Sequence, residues 1–442
     1  MTTRREPGPR SREIIAREAR HIAPGYQSFA LYSGLAMARG SGCRLWDEDG
    51  NEYIDFIAGI AVGSIGHCHP HYVEALKRQT ERLTFGSFTT ETRARFLELL
   101  GSVTPEGLTR IQLFSGGAEA VEAALRLAKA ATKRQEVIGF WGGFHGKTGG
   151  VLGLLGSDFK HHQGPFLPGQ YSTPYADCYR CPLRLRYPDC GIACAEYVRD
   201  VIKYQTGGAL SAIIVEPIQG TAGNVIPPTG FLRAIETIAH EHGALLIADE
   251  MITGFGRTGT MWAAAVDGVT PDVMTVGKGM GGGFPLSGVV STDAFTGHKP
   301  WSNPSASSSS YGGNPLAAAA GLAALEIIVK EDLVKNSEVV GGAMLRRLQE
   351  MQEKHRTIGT VRGRGLLLGI ELVKDRTTRE PLGRDVTRGL YLECLRRGLA
   401  AMTYAPTIRI NPPLVIREDE ALAGLAILDE ALAAVERTHG LT

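Results

Sequence analysis

Between Ile111 and Ser291 the chain alternates short apolar runs with helix-forming stretches, and this alternation restricts the fold more than any other feature. Ile111–Phe114, Val137–Phe140, Ala212–Val215, Leu245–Ala248, Val273–Val276 and Val289–Ser291 read as buried strands. The first two flank Ala118–Thr132, where Val121, Leu125 and Ala128 recur at helical spacing with Ala124 and Ala131 on the same side. Strands that alternate with helices predict an α/β fold whose mostly parallel sheet is covered on both faces. Upstream, residues 1–66 look irregular except for a hairpin pattern over Arg44–Asp55, turning at Asp49-Gly50. Downstream, an amphipathic helix over Ala343–His355, a strand within Gly365–Leu372 and a helix near 418–437 suggest a smaller α/β lobe. The expected organisation is an N-terminal segment, 1–70, that joins the small domain. A large domain, 71–335, and the C-terminal small domain, 336–442, follow.

Charge and apolar content narrow the function classes. Lys plus Arg is 47 and Asp plus Glu 46, so a net charge of +1 offers no footprint for nucleic acid or an anionic membrane. No run of apolar residues is long enough to span a bilayer, and Met1–Arg20 lacks the apolar core of a signal peptide. The expectation is a cytoplasmic protein. Seven cysteines, an odd number, fit free thiols better than a disulfide framework. Glycine is the compositional oddity: 56 of 442 residues, against a usual share of about 7%.

In open parallel sheets, ligands bind beyond the carboxyl ends of the strands, and the unusual residues gather there. Ile111–Phe114 runs into Ser115-Gly116-Gly117-Ala118 and a helix, which reads either as an anion cradle or as a tight strand-to-helix turn. Val137–Phe140 runs into Trp141-Gly142-Gly143-Phe144-His145-Gly146, where an aromatic between glycines can lie on a planar ligand or pack in the core. Leu245–Ala248 ends at Asp249-Glu250, and acids directly after a buried strand are costly unless paired. Asp249 suits a protonated ring nitrogen; a helix cap or a structural ion pair is the plainer reading. Val273–Val276 ends at Gly277-Lys278-Gly279, which reads either as a partly desolvated lysine able to act as a nucleophile or as an exposed loop lysine.

Two nucleotide motifs fail. Gly277, Gly279 and Gly282 match a dinucleotide fingerprint, but the chain continues to another strand rather than a helix. A P-loop would need Ser or Thr after Lys278, where Gly279 stands. An anion cradle, a flat aromatic, an acid for a ring cation and a nucleophilic lysine together describe a site for pyridoxal 5′-phosphate.

Five motifs in order carry a family resemblance. They are Gly66-His67-Cys68-His69-Pro70, Gly117-Ala118-Glu119-Ala120-Val121-Glu122, Glu216-Pro217-Ile218-Gln219-Gly220, Asp249 through Gly259, and Tyr311-Gly312-Gly313-Asn314-Pro315. On these the sequence resembles the class III pyridoxal-phosphate aminotransferases, the 4-aminobutyrate, ornithine and omega-aminotransferase group. The resemblance implies the fold-type I, aspartate aminotransferase-like architecture and a homodimer with shared active sites. It makes Lys278 the Schiff-base lysine and proton shuttle, and Asp249 the partner of the pyridine nitrogen. Phe144 and Met251 take the two ring faces, Gly117 and Ala118 the phosphate, and Ser310 the partner subunit's phosphate. His145 and Glu216 join the cofactor-binding set. Arg409 is implied to hold a substrate carboxylate, with Ile60 and Thr221 among the substrate-binding residues.

Departures from the pattern also inform. Gly116 replaces a usual Ser, and Ile252 a frequent Gln. Thr221 stands where 4-aminobutyrate enzymes carry a Glu that pairs with the arginine, so that substrate assignment does not follow. Arg362–Gly369 also resembles dialkylglycine decarboxylase, but Ile60 and Ala61 replace that enzyme's Gln and Met. The implied function is transfer of an amino group from a primary amine or amino acid to a carbonyl acceptor, with ping-pong kinetics. Elimination, racemisation or decarboxylation on the same scaffold is the alternative, including action on an aminosugar in antibiotic biosynthesis.

Cys178, Cys181, Cys190 and Cys194 have spacing that could hold a structural zinc, but reduced thiols in a surface insertion are the favoured reading and no metal is expected. His67, His69 and His71 alternate like a metal patch, and the Gly-His-x-His-Pro loop of the family accounts for the first two.

Overall fold

A computed structural model describes residues 6–441. The chain divides into two compact units, Met1–Pro70 with Lys335–Thr442, and His71–Val334.

In the first unit, strands β1 (Met37–Ser41), β2 (Arg44–Asp47) and β3 (Glu52–Asp55) form an antiparallel meander. The hairpin expected over Arg44–Asp55 is the β2–β3 pair. The rest of 1–66 is less irregular than its sequence suggests, because helices occupy Pro9–Glu18 and Ser28–Ser33. The first of these starts without a side-chain cap of its own. Asp49, in the β2–β3 turn, accepts the amides of Gly8, Arg10 and Ser11 at 3.1, 2.9 and 2.9 Å. A cap supplied from 38 residues away leaves no local start signal.

In the second unit, β4 (Arg110–Phe114), β5 (Glu136–Phe140), β6 (Gln170–Thr173), β7 (Leu210–Val215), β8 (Leu245–Asp249), β9 (Val273–Val276) and β10 (Ser287–Ser291) form one sheet. Their order is β4-β10-β9-β8-β7-β5-β6, with β10 antiparallel to both neighbours and the others parallel. Every residue of β5, β7, β8, β9 and β10 is buried, which explains their near-continuous apolar runs. The helix Gly117–Thr132 buries Val121, Leu125, Leu127 and five alanines against this sheet, and its small side chains allow close approach. Each fully buried Val or Leu contributes about 1.5–3 kcal/mol to that packing.

Returning to the first unit, β11 (Ile358–Arg364), β12 (Leu367–Asp375) and β13 (Glu380–Pro381) lie in order, and β15 (Thr407–Ile410) also pairs with β12. The two-residue β14 (Leu399–Ala400) runs parallel to β3, so the chain's two ends share a sheet. The helices here are longer than the sequence pattern marks, Leu333–Lys354 and Glu418–His439. Among the described residues no helix is long and apolar enough to cross a membrane.

Candidate active site

The parallel strands of the second unit point their carboxyl ends the same way, so the loops after β5, β7, β8 and β9 emerge along one edge. Asp249 closes β8 and is 1% exposed. Its Oδ2 meets Nδ1 of His145, itself 3% exposed, at 2.7 Å. Its Oδ1 accepts the Thr275 hydroxyl at 3.0 Å and the Met251 amide at 3.1 Å. Burial pulls the His145 pKa down, but the bond and charge of Asp249, with Glu216 behind, outweigh it and the net shift is upward. An ionised carboxylate has room for about four donors, so Asp249 retains capacity for one more. A buried acid with spare acceptor capacity is equipped to hold a ring N–H⁺.

Lys278 lies three residues beyond Thr275, which pairs with Asp249 across the β8–β9 register. It is half-buried and has φ +43°, a left-handed conformation unusual for a non-glycine residue. The glycines beside it have a physical role. A Cβ on Gly277 would lie 2.5 Å from the Met251 sulfur, and one on Gly117 would lie 3.3 Å from it. Met251 therefore packs between the backbone before the lysine and the start of the helix Gly117–Thr132. Tyr72 donates to the Gly281 carbonyl at 2.7 Å and Ser287 to that of Gly116 at 2.8 Å, pinning both glycine segments.

At the helix start, the Glu119 carboxylate folds back onto the amides of Ser115 and Gly116, at 3.1 and 2.7 Å. The amides of Gly117 and Ala118 come in the first turn, where a helix supplies no acceptor of its own. They face outward at the positive end of the helix dipole, as an anion requires.

Phe144 is half-buried, and its amide donates to Oε1 of Glu216 at 2.8 Å. Its ring meets Phe159 edge-on, with centroids 6.1 Å apart. Glu216 is 5% exposed; burial, with Asp249 adding to it, raises its pKa to about 7 despite the opposing charge of His145. Thr221 lies in the turn between Gln219 and Val225, whose backbones pair. That turn packs on the Trp141–Gly146 loop, since a Cβ on Gly142 would lie 3.3 Å from that of Ala222.

The fold thus brings together Asp249, His145, Glu216, Met251, Phe144, Gly117 and Ala118, and puts Lys278 two residues past the end of the neighbouring strand β9. Ser310 is exposed, in the stretch before Gly312. Gly312 is tight, because a Cβ there would lie 2.1 Å from the Leu113 carbonyl oxygen. Arg409 and Ile60 belong to the first unit. Arg409 is half-buried on β15, opposite Gly369. Ile60 sits in a turn, Ala58–Ala61, whose four residues all have positive φ, between 47° and 67°. Asp55 accepts the amides of Ile57 and Ala58 there and pairs with His67 at 2.8 Å. Thr275 and Gln219 contribute to the site without having been singled out in the sequence. A lone hydroxyl within the apolar Val273–Val276 run was the available signal for Thr275.

Cys178, Cys181, Cys190 and Cys194 line one small apolar cavity with Tyr175, Leu183 and Leu185. Among the described residues, however, no three His, Cys, Asp or Glu side chains are arranged to hold a metal ion.

The residues of the second unit fit pyridoxal phosphate. Asp249 is a buried acceptor for the ring nitrogen, and the close contacts of Gly117 and Gly277 leave no space for side chains where the cofactor must approach backbone.

Comparison with known proteins agrees. The family model for aminotransferase class III matches residues 28–432. A leucine/methionine racemase of Thermococcus litoralis is 35% identical over 436 residues, covering 97% of this chain and 96% of that protein. An acetylornithine aminotransferase of Methanopyrus kandleri is 38% identical over 407 residues, covering 90% and 95%. The crystal structure of an amine transaminase from an uncultivated Pseudomonas species, with pyridoxal phosphate bound, superimposes with a TM-score of 0.87 at 30% identity, covering 93% of this chain and 98% of that one. The match runs through every strand end that carries the site, so the chain belongs to the class III aminotransferases, which use pyridoxal phosphate to move amino groups.

Proposed function

We propose that this enzyme moves an amino group from a primary amine or amino acid to a carbonyl acceptor, with Lys278 and Asp249 as its catalytic residues. The observation that carries the assignment is the buried Asp249–His145 pair beside strand β9, which leads into Lys278. Pyridoxal phosphate, when bound, supplies an aldehyde that condenses with amines and a protonated ring that accepts electrons.

This chain's residues do the rest. The Gly117 and Ala118 amides would hold the phosphate, and Phe144 and Met251 would confine the ring. Asp249 would keep the ring nitrogen protonated, since a buried carboxylate favours a proton on the group it faces. His145 supports Asp249 from the other side. Lys278 would hold the cofactor's aldehyde, and its Nζ would be the base that moves the substrate's proton.

Arg409 is assigned the substrate carboxylate, with Ile60 and Thr221 as further substrate residues. Ser310 is assigned the phosphate of a second copy, which makes the working unit a homodimer with shared sites. The large domain is read as 71–335, flanked by segments 1–70 and 336–442, and the compartment as the cytoplasm. Motif correspondence supports these assignments.

Racemisation is the second reading, favoured by the racemase of Thermococcus litoralis among the relatives. One experiment separates the two. An amine donor supplied alone should convert an aminotransferase to the aminated cofactor and hold it there until a carbonyl is added. A racemase would return to its starting spectrum and invert the donor's configuration.

A further inference from the structure

Glu216 follows β7 and its carboxylate bridges two loops. Oε1 accepts the Phe144 amide at 2.8 Å, and Oε2 accepts the Gly220 amide at 3.1 Å. Phe144 sits in the loop that also carries His145, and Gly220 opens the turn that carries Thr221. A second strut runs parallel, because Gln219 Nε2 donates to the Trp141 carbonyl at 2.9 Å. The Tyr175 hydroxyl reaches the carbonyls of Glu216 and Pro217, at 3.0 and 3.2 Å, and fixes the backbone from which Glu216 projects. Each oxygen of the carboxylate holds one backbone amide, one in each loop.

We propose that Glu216 is a positioning residue whose ionised carboxylate sets the cofactor-side loop 141–146 against the substrate-side turn 219–225, so that the grip on the cofactor follows the protonation of this one group. The inference rests on reading Phe144 and Thr221 as neighbours of cofactor and substrate. The ionised form offers a strong acceptor on both oxygens. Protonation turns one oxygen into a hydroxyl, a much weaker acceptor, and one of the two amide bonds loses its charge assistance.

Three titratable groups face Glu216: His145 on the loop after β5, Asp249 at the end of β8, and Tyr175 beyond β6. Burial and Asp249 push its titration up to about 7, and His145 pulls the other way. The staple is therefore complete well above pH 7, half-released at about pH 7 and released as pH falls further.

The test uses holoenzyme of wild type, E216Q and E216D, with Lys278→Ala as reference. Cofactor release into cofactor-free buffer is followed from about pH 6 to about pH 8.5, alongside KM and kcat for one amine donor and the thermal midpoint. Wild type should release cofactor about tenfold faster at the acid end, the size expected for one lost amide–carboxylate hydrogen bond. E216Q, which presents an NH₂ to one amide, should release fast at both ends with no step near neutrality. E216D should keep the step from a faster baseline, and serves alone if E216Q does not fold. A wild-type release rate without a step, or a folded E216Q or E216D that matches wild type throughout, overturns the proposal. If wild type lacks a visible band that Lys278→Ala removes, the cofactor reading fails instead, and the two failures are told apart.

Discussion

Among the described residues, two buried histidine–carboxylate clusters look alike in composition and differ in use. In the second unit His145 meets Asp249 at the end of a parallel strand. In the first unit His355, 1% exposed, places Nδ1 on Glu436 and Nε2 on Asp429, both at 2.6 Å. Asp429 also takes Arg347 at 2.8 Å and Lys354 at 2.5 Å, while Thr357 donates to Glu436 at 2.5 Å. This second cluster ties residues 347–357 to the C-terminal helix. The first retains acceptor capacity on Asp249 and opens onto glycine-lined backbone. Burial and ionisation therefore do not distinguish a binding site from a structural fastener; the surroundings do, since Asp249 closes a strand beside glycine-lined backbone while Asp429 and Glu436 lie along a helix.

That contrast is open to direct attack. The largest effect should come from Lys278→Ala and Asp249→Asn. Lys278→Ala should abolish the visible band and amino transfer, and Asp249→Asn should lower kcat by about 10²–10³-fold. Circular dichroism should report an intact fold in both, and a collapsed fold in either would make the site cluster structural after all. His355→Leu should do the reverse. It leaves Glu436 with only the Thr357 hydroxyl of its named partners, and should cost about 3–5 kcal/mol in urea unfolding while leaving kcat per folded molecule unchanged.

The third check is pH dependence of the first unit. Burial opposes ionisation of all three groups, but their mutual hydrogen bonds prevail, so His355 shifts up while Asp429 and Glu436 shift down. The acids' contribution is complete above their ordinary range and disappears as pH falls through the lowered values. That of His355 is complete below its ordinary value and disappears as pH rises through the raised one. Amide exchange of the Glu418–His439 helix should be slowest between these limits, and His355→Leu should erase the alkaline limb. An unchanged alkaline limb in that variant would contradict the fastener reading. The smallest effect is expected from Thr275→Val, which removes one donor from Asp249. It should weaken cofactor affinity by a few-fold, about 1 kcal/mol, without moving the thermal midpoint of apoprotein by a comparable amount.

How much of this was legible in the sequence follows physical lines. The strands around Val137, Ile213, Leu246 and Met274 are buried on both faces, so their apolar runs announce them. Strand β6 is Gln-Tyr-Ser-Thr at the edge of the sheet, with no apolar run to find. Lys278 and Asp249 were legible because each is a charge placed directly after a buried strand. His145 and Glu216 came only through motif resemblance, and their partners lie 104 and 72 residues away. Pairings at that separation depend on strand order, which composition and periodicity do not encode. The left-handed turn Ala58–Ala61 was equally hidden, since only Gly59 among its residues favours that conformation.

The cap that Asp49 gives to the helix Pro9–Glu18 bears on the order in which the chain acquires structure. A helix that borrows its starting bonds from a hairpin turn is not favoured until that turn exists. The β2–β3 hairpin, a local structure able to close within microseconds, should therefore precede it. In the finished molecule the dependence persists: whenever the hairpin opens, the first helix is released with it, so the two should exchange their amides as one cooperative unit.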